Sequence, residues 1–409
     1  MTTPLAAALA RELEGGERLR FDAFVERCLY DPQHGFYTAG GGSAGRAGDF
    51  LTSPEVGPLF GAVLARALDR WWLEAGRPAP FLVVDAGAGP GTLLRSLLAA
   101  DPACSAAWRL VAVERSDALR QRHRDLVERG VESRVDLPPD LAGAVVVANE
   151  LLDNVAFRVL ERGQEGWWDL VVTADRGRLA LGTDPAPPDD GARADLLVPG
   201  APDGTRIPWL SSARAWVSEV LAAGPRRLVV IDYGAPATVE LASRPWNEWV
   251  RTYRGHARAG APLQHPGQAD LTVEVVADQL PPGATWTTQD RFLSEHGIEE
   301  LVAEGRRLWA EHAAAPDLAA LRGRSRIGEA EALLDPDGLG SWLVGQWTPE
   351  LHQSRAATSV AASREQRRPG RAVASAATGF DARTGSVARW PTLTDRRSTG
   401  SASLKPHSS

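Results

Sequence analysis

At 409 residues, 44% of them apolar and 24% charged, the chain has room for one large domain with additions or for two domains. Its net charge is −7, but from Leu351 to Ser409 ten Arg and Lys face three Asp and Glu, which leaves residues 1–350 at −14. An acidic body argues against a nucleic-acid footprint, and two cysteines, Cys28 and Cys104, exclude a disulfide framework or a multi-cysteine metal site.

Residues 5–14 read as a short helix stopped by Gly15-Gly16. Charges at Arg11, Glu12 and Glu14 interrupt the apolar stretch too early for a secretory signal, and no run approaches the roughly 20 apolar residues of a membrane span. The expectation is a cytoplasmic protein without membrane insertion. Phe21–Tyr30 places Phe21, Phe24, Val25, Cys28 and Leu29 on one face of a second helix, ended by Asp31-Pro32. After the glycine-rich residues 40–48, Thr52-Ser53-Pro54-Glu55 predicts a helix start. Either Ser53 caps it with Pro54 at the first helical position, or Thr52 and Glu55 form a capping box. That helix is expected to run to about Glu74.

Four apolar runs follow, at 81–84, 110–113, 144–148 and 228–231. They are rich in Val and lack polar alternation, as parallel strands covered on both faces require. Helical stretches at Thr92–Ala100 and 116–128 lie between them, and a short strand is expected near 133–135. The pattern predicts an α/β fold with a Rossmann-like, mostly parallel sheet. The span 154–226 is far longer than a crossover needs. It reads as an insertion that shapes a substrate pocket, with a hairpin at 168–173 and 178–181 and a helix from Trp209 to Ala223. Three regions result: an N-terminal helical or lid region 1–80, the Rossmann-like domain 81–349, and a basic tail 350–409 expected to be disordered.

The sharpest local feature is Asp85-Ala-Gly87-Ala-Gly89-Pro-Gly91-Thr92, directly after the first run. Glycines there let the backbone turn tightly and approach a ligand where side chains would collide. A dinucleotide fingerprint needs G-x-G-x-x-G, whereas this loop reads G-x-G-x-G with Thr92 at the last fingerprint position. Asp85 would repel a pyrophosphate but suits the cationic amino-acid end of S-adenosylmethionine. Glu114, at the end of the second run, can accept both ribose hydroxyls, a feature that NAD enzymes share. The methyl donor is the leading reading, with NAD(P) and a tight turn that binds nothing as alternatives.

The third run ends in Asn149-Glu150-Leu-Leu-Asp153, and ligands of open α/β sheets lie beyond the carboxyl ends of strands. Methyl transfer is an in-line displacement that needs the nucleophile about 3–3.5 Å from the methyl carbon, with water excluded. A guanidinium nucleophile has to be held by carboxylates and helped to shed a proton, a part open to Glu150 and Asp153. The plainer reading makes Asn149 and Asp153 helix caps and Glu150 a surface residue. Tyr233, after the fourth run, faces the same edge or packs with a wet hydroxyl. His256 and His265 lack metal-ligand spacing, and no metal is expected.

Together these segments resemble the MidA-like methyltransferases, the family of a mitochondrial complex I assembly factor. The resemblance runs from Phe21 to about Trp347. It rests on Tyr30-Asp-Pro-Gln-His-Gly-Phe-Tyr37, Gly48-Asp-Phe-Leu-Thr-Ser-Pro-Glu55, the glycine loop, Asn149 to Asp153, Ile231-Asp-Tyr-Gly234, Arg251-Thr-Tyr-Arg-Gly-His256 and Asp335-Pro-Asp-Gly-Leu-Gly340, in consistent order. It implies a class I methyltransferase fold that uses S-adenosylmethionine. Gly87, Gly89, Gly91 and Glu114 would belong to the cofactor site, with Asp136 near the adenine and Asn149 to Asp153 facing the acceptor. Residues 48–55, with Thr52, Ser53 and Pro54, would close over the cofactor as a lid. Asp49, Tyr233, Tyr253 and His256 are the candidates on the substrate side. For the mitochondrial relatives the resemblance implies dimethylation of an arginine on a respiratory complex I subunit, hence a protein substrate. Methylation of a small molecule or another side chain, and a non-catalytic assembly role that keeps the pocket, are the alternatives. Three departures concern the acceptor: Leu151-Leu152 stands where two Phe are usual, Ala156 where Pro is common, and Glu274 where His or Asp is common.

Overall fold

The computed structural model describes residues 2–39, 52–255 and 257–349, so the expectations for Asp49, His256 and the tail 350–409 fall outside the described residues. Seven strands form the central sheet: β1 (Phe81–Ala86), β2 (Trp108–Val113), β3 (Glu132–Arg134), β4 (Val145–Asn149), β5 (Arg227–Asp232), β6 (Thr285–Thr288) and β7 (Leu343–Trp347). Their spatial order is β6-β7-β5-β4-β1-β2-β3. Neighbours from β5 through β3 pair in parallel, while β7 runs antiparallel to both β5 and β6.

The apolar runs form strands because alternate residues are buried on opposite faces. Val84, Val111, Val146 and Val230 pack into a core shared with the helices Phe21–Tyr30 and Ser211–Ala222. Val83, Ala112, Val147 and Val229 pack on the other side against the helices Pro58–Glu74 and Thr92–Ala100. Four of the parallel strands carry an acid or amide at or next to the last strand residue: Asp85, Glu114, Asn149 and Asp232.

The helix expected from 52 to 74 is two helices, Ser53–Val56 and Pro58–Glu74, separated by an extended Gly57. The buried Glu329 takes the amide of Leu59 at 2.8 Å and lies where a Cβ on residue 57 would stand, 2.2 Å from its carboxyl carbon. Neither expected cap forms. Thr52 holds the cap position without a side-chain bond, Ser53 donates to Gln289 at 2.9 Å, and Glu55 accepts from Thr92 at 3.3 Å. Partners distant in sequence outcompete the local ones.

The stretch 116–128 divides into Asp117–Arg120, a tight turn at Gln121–His123, and Arg124–Glu128, which turns His123 inward and buries it. In the insertion Trp209 ends a strand, Arg206–Trp209, and the helix begins at Ser211. The hairpin is longer than expected, Gly166–Asp175 with Arg178–Pro185, and belongs to a five-stranded antiparallel sheet completed in part by Leu19–Arg20 from the N-terminal region.

Gly91 ends the loop after β1 with φ of +88°, and a Cβ there would stand 2.4 Å from Leu126 Cδ1. Left-handed strain and overpacking together predict that Gly91→Ala lowers stability by about 1–3 kcal/mol. A thermal melt reads this as a lower Tm; an unchanged Tm would show that Leu126 yields freely.

Candidate active site

From β1 the chain builds outward through β2 to β3, then returns to place β4 and β5 on the other side of β1. Such a reversal leaves a crevice beyond the carboxyl ends of the two strands that flank it. A cleft of about 810 Å³, open mouth included, lies there, with Asp85, Gly87, Gly89, Glu114, Asn149 and Glu150 on its wall.

One half of the cleft is the loop after β1. The amides of Gly87 and Ala88 both donate to the carbonyl of Val113 at 2.9 Å, which pins the loop to the end of β2. Gly89 has φ of +52°, and a Cβ there would meet nothing within 4 Å, so its bare side faces open space. From behind, the His123 ring bridges the Gly89 carbonyl at 2.8 Å and the Ser133 hydroxyl at 2.9 Å. Glu114 accepts the amides of Gly89 at 3.0 Å and Ser116 at 2.7 Å. Asp85 is only 3% exposed and its Oδ2 has no hydrogen-bond partner. Burial pushes both acids up to about 7, and for Asp85 the nearby Glu114 adds to the effect. An unpaired buried carboxylate calls for a cation or donor, and Glu114 keeps unused lone pairs for further donors. An amino-acid ammonium against Asp85 and a ribose diol against Glu114 fit this half.

The opposite half begins at the end of β4. Glu150 has φ of +51°, an uncommon conformation for a non-glycine residue, held by its amide bond to the Ile231 carbonyl at 2.8 Å. This turn presents its carboxylate to the cleft, where Oε1 accepts the Ser53 amide and the Asn149 side-chain amide, each at 3.1 Å. Desolvation, then the charge of Asp153, holds the Glu150 carboxyl well above the usual carboxylate range. Tyr37 and Asn154 also line the cleft, joined by a hydrogen bond of 3.1 Å from the Tyr37 hydroxyl.

The remaining candidates are divided. Thr52 and Pro54 line the cleft, and Ser53 offers its backbone amide while its hydroxyl turns to Gln289. Gly91 is packed behind the loop against Leu126 and is not part of the wall. Asp136 is also absent from the wall; its carbonyl accepts from Arg134 at 3.2 Å. Asp153 and Tyr233 are not part of the wall; Asp153 is buried, and Tyr233 is half-buried with its hydroxyl bonded to Thr272. Tyr253 sits half-buried on the strand Val250–Arg254 of a separate three-stranded sheet. Sequence reasoning missed His123, Tyr37 and Asn154. His123 carries no local signal, because a helical period does not reveal a turn that rotates a side chain inward.

The family model described as "Putative S-adenosyl-L-methionine-dependent methyltransferase" matches residues 63–286. The chain belongs to this MidA-like family. A crystal structure of a protein from Burkholderia thailandensis bound to S-adenosyl-homocysteine superposes with a TM-score of 0.71 at 27% identity, covering 84% of this chain and 91% of that one. The protein arginine methyltransferase NDUFAF7, mitochondrial, of Xenopus tropicalis is 24% identical over 327 residues, 68% of this chain and 71% of that protein. Its Bos taurus counterpart is 24% identical over 312 residues, 67% of each. The fold is that of a class I methyltransferase, and the chain is an enzyme that uses S-adenosylmethionine. That donor carries the ammonium and ribose diol which Asp85 and Glu114 suit.

A pH dependence of donor binding follows. With Asp85 near 7, a bound cation favours its ionised form, so a proton leaves on binding around neutral pH. The affinity for S-adenosyl-homocysteine should rise about tenfold from pH 6 to pH 8, and the rise should vanish in Asp85→Asn. Calorimetry in buffers of different ionisation enthalpy tests this; a flat profile would show that Asp85 does not face the ammonium. For the stability of the ligand-free protein the opposite trend is expected. Both acids bind protons more tightly folded than unfolded, so their contribution to stability is lost as pH rises toward 7.

Proposed function

We propose that this enzyme methylates an arginine side chain of a protein. The observation that carries the reading is Glu150, a strand-end carboxylate in a left-handed turn, set in the cleft wall across from the donor loop. The names of the relatives from Xenopus tropicalis and Bos taurus, protein arginine methyltransferases, support the same acceptor. S-adenosylmethionine supplies an electrophilic methyl group when bound. Glu150 accepts hydrogen bonds from the guanidinium and turns one nitrogen toward that methyl. As the nitrogen–carbon bond forms, the carbon–sulfur bond breaks with its electron pair left on sulfur, and Glu150 takes the proton that the nitrogen sheds. Thr52 and Pro54 close the wall beside it and keep water from the reacting atoms.

The test is incubation of the full chain with tritiated donor and a cell extract, followed by mass spectrometry of the labelled species. Label on arginine of a protein is expected, and label on a small molecule or another side chain would overturn the reading. A respiratory complex I subunit is the first acceptor to try, because the family resemblance implies it. A cytoplasmic location is part of the proposal, on the ground that a chain with only two cysteines suits a reducing compartment. Cell fractionation checks the compartment. Among the described residues no helix is long and apolar enough to cross a membrane.

A further inference from the structure

The loop from Gly87 to Gly91 directs its backbone polar groups into the protein. Its amides go to the carbonyls of Val113 and Ala88 and to Glu114, and Pro90 has none to give. The Gly91 carbonyl takes the amide of Arg95 at 3.1 Å, and the Pro90 carbonyl takes the Arg95 guanidinium at 2.7 Å. Both bonds are local, from the helix Thr92–Ala100 that follows the loop. The Gly89 carbonyl is held differently, by His123, 34 residues further along the chain.

Pro90 gives that bond its weight. Its ring locks its own φ, so the peptide group between Gly89 and Pro90 keeps one soft torsion, ψ of Gly89. Glycine restrains that torsion least of all residues. The open side of the loop adds no restraint, because among the described residues no atom lies within 4 Å of where a Cβ on Gly89 would stand. The hydrogen bond from His123, at 2.8 Å, therefore fixes a peptide that borders the cleft.

His123 is itself fixed. A carbonyl only accepts, so Nε2 carries the proton and donates, while Nδ1 accepts from the Ser133 hydroxyl at 2.9 Å. Ser133 stands on β3, in the frame of the central sheet. The ring is fully buried, and burial pushes it below the usual histidine range, which keeps it neutral near physiological pH.

We propose that His123, oriented by Ser133, is a positioning residue for the methyl donor, holding the Gly89 carbonyl out of the space that the donor fills. The proposal rests on the placing of the donor against this loop and is independent of the acceptor. Neither His123 nor Ser133 is part of the cleft wall, so both act through Gly89. Without the ring, the carbonyl is left unpaired and turns toward the open side, where it takes volume from the donor.

The experiment measures S-adenosyl-homocysteine affinity by calorimetry on the full chain, with Tm read beside it. His123→Leu removes both hydrogen bonds while keeping most of the side-chain volume. Affinity is expected to fall about tenfold. His123→Gln sets an amide N–H where Nε2 stands and should bind within about threefold of the parent. A merely structural role would lower Tm in both variants and leave the affinity of the folded protein unchanged, which would overturn the proposal. Equal losses of affinity in the two variants would overturn it as well. Nitrogen NMR of isotope-labelled histidine gives a second reading: the signals lost in His123→Gln should be those of a neutral ring protonated on Nε2, and a proton on Nδ1 would refute the bond to Gly89. Should His123→Leu fail to fold, Ser133→Ala carries the test. It frees the ring to turn and should lower affinity about threefold, and parental affinity there would sink the role of His123. Gly89→Val, which fills the donor's space directly, separates the two levels of the argument. Unchanged affinity in His123→Leu beside a loss in Gly89→Val removes the positioning role alone; unchanged affinity in both removes the donor from this loop and the proposal with it.

Discussion

Gly89→Val should abolish donor binding while leaving the protein folded. At this position an added Cβ meets no atom within 4 Å, and the open space it enters is the cleft. The two methyl groups of valine would occupy volume that the donor needs, and a β-branched residue is strained at φ of +52°. A loss of at least about 100-fold in affinity for S-adenosyl-homocysteine is expected, on the order of 2.7 kcal/mol. The strain itself amounts to about 1–2 kcal/mol and should lower Tm modestly. Calorimetry on the folded variant decides the matter: wild-type affinity would mean that the donor does not pass over this bend. The contrast with Gly91 is instructive, because there the same added atom strikes Leu126 and the damage falls on folding.

Glu150→Gln should spare donor binding and lower methyl transfer by on the order of 10²-fold. Glutamine keeps the side-chain length and an oxygen that can accept the Ser53 amide, but it cannot take up a proton. The variant should be as stable as the parent or more so, since a desolvated carboxylate beside Asp153 is lost. Initial rates on the labelled acceptor, read beside the S-adenosyl-homocysteine affinity, separate the two effects. Equal turnover would remove Glu150 from the chemistry; a matched loss of donor affinity would move it to the cofactor side.

Much of the donor half was legible before any coordinates. β1, β2, β4 and β5 announce themselves because a strand buried on both faces tolerates few polar residues, and the acids at their ends then fall at the ligand edge. β6 and β7 carry no such mark. Thr-Trp-Thr-Thr is an edge strand whose single partner and partial exposure relax the demand for continuous apolar residues. Leu-Val-Gly-Gln-Trp, though paired on both sides and mostly buried, has its apolar run broken by Gly345 and Gln346. The split of the helix at Gly57 was invisible as well, because its cause is Glu329, far along the chain.

The sequence by itself determined the parallel sheet, the glycine bend and the placing of Asp85, Glu114 and Glu150 at its rim, since each follows from local period or from a strand end. Only the tertiary structure decided which way those groups face and what stands behind them. Asn154 meets Asp270 across 116 residues of chain, and Ser53 reaches Glu150 across 97. Contacts of that span come from the packing of whole elements and leave no periodic trace in the residues that make them.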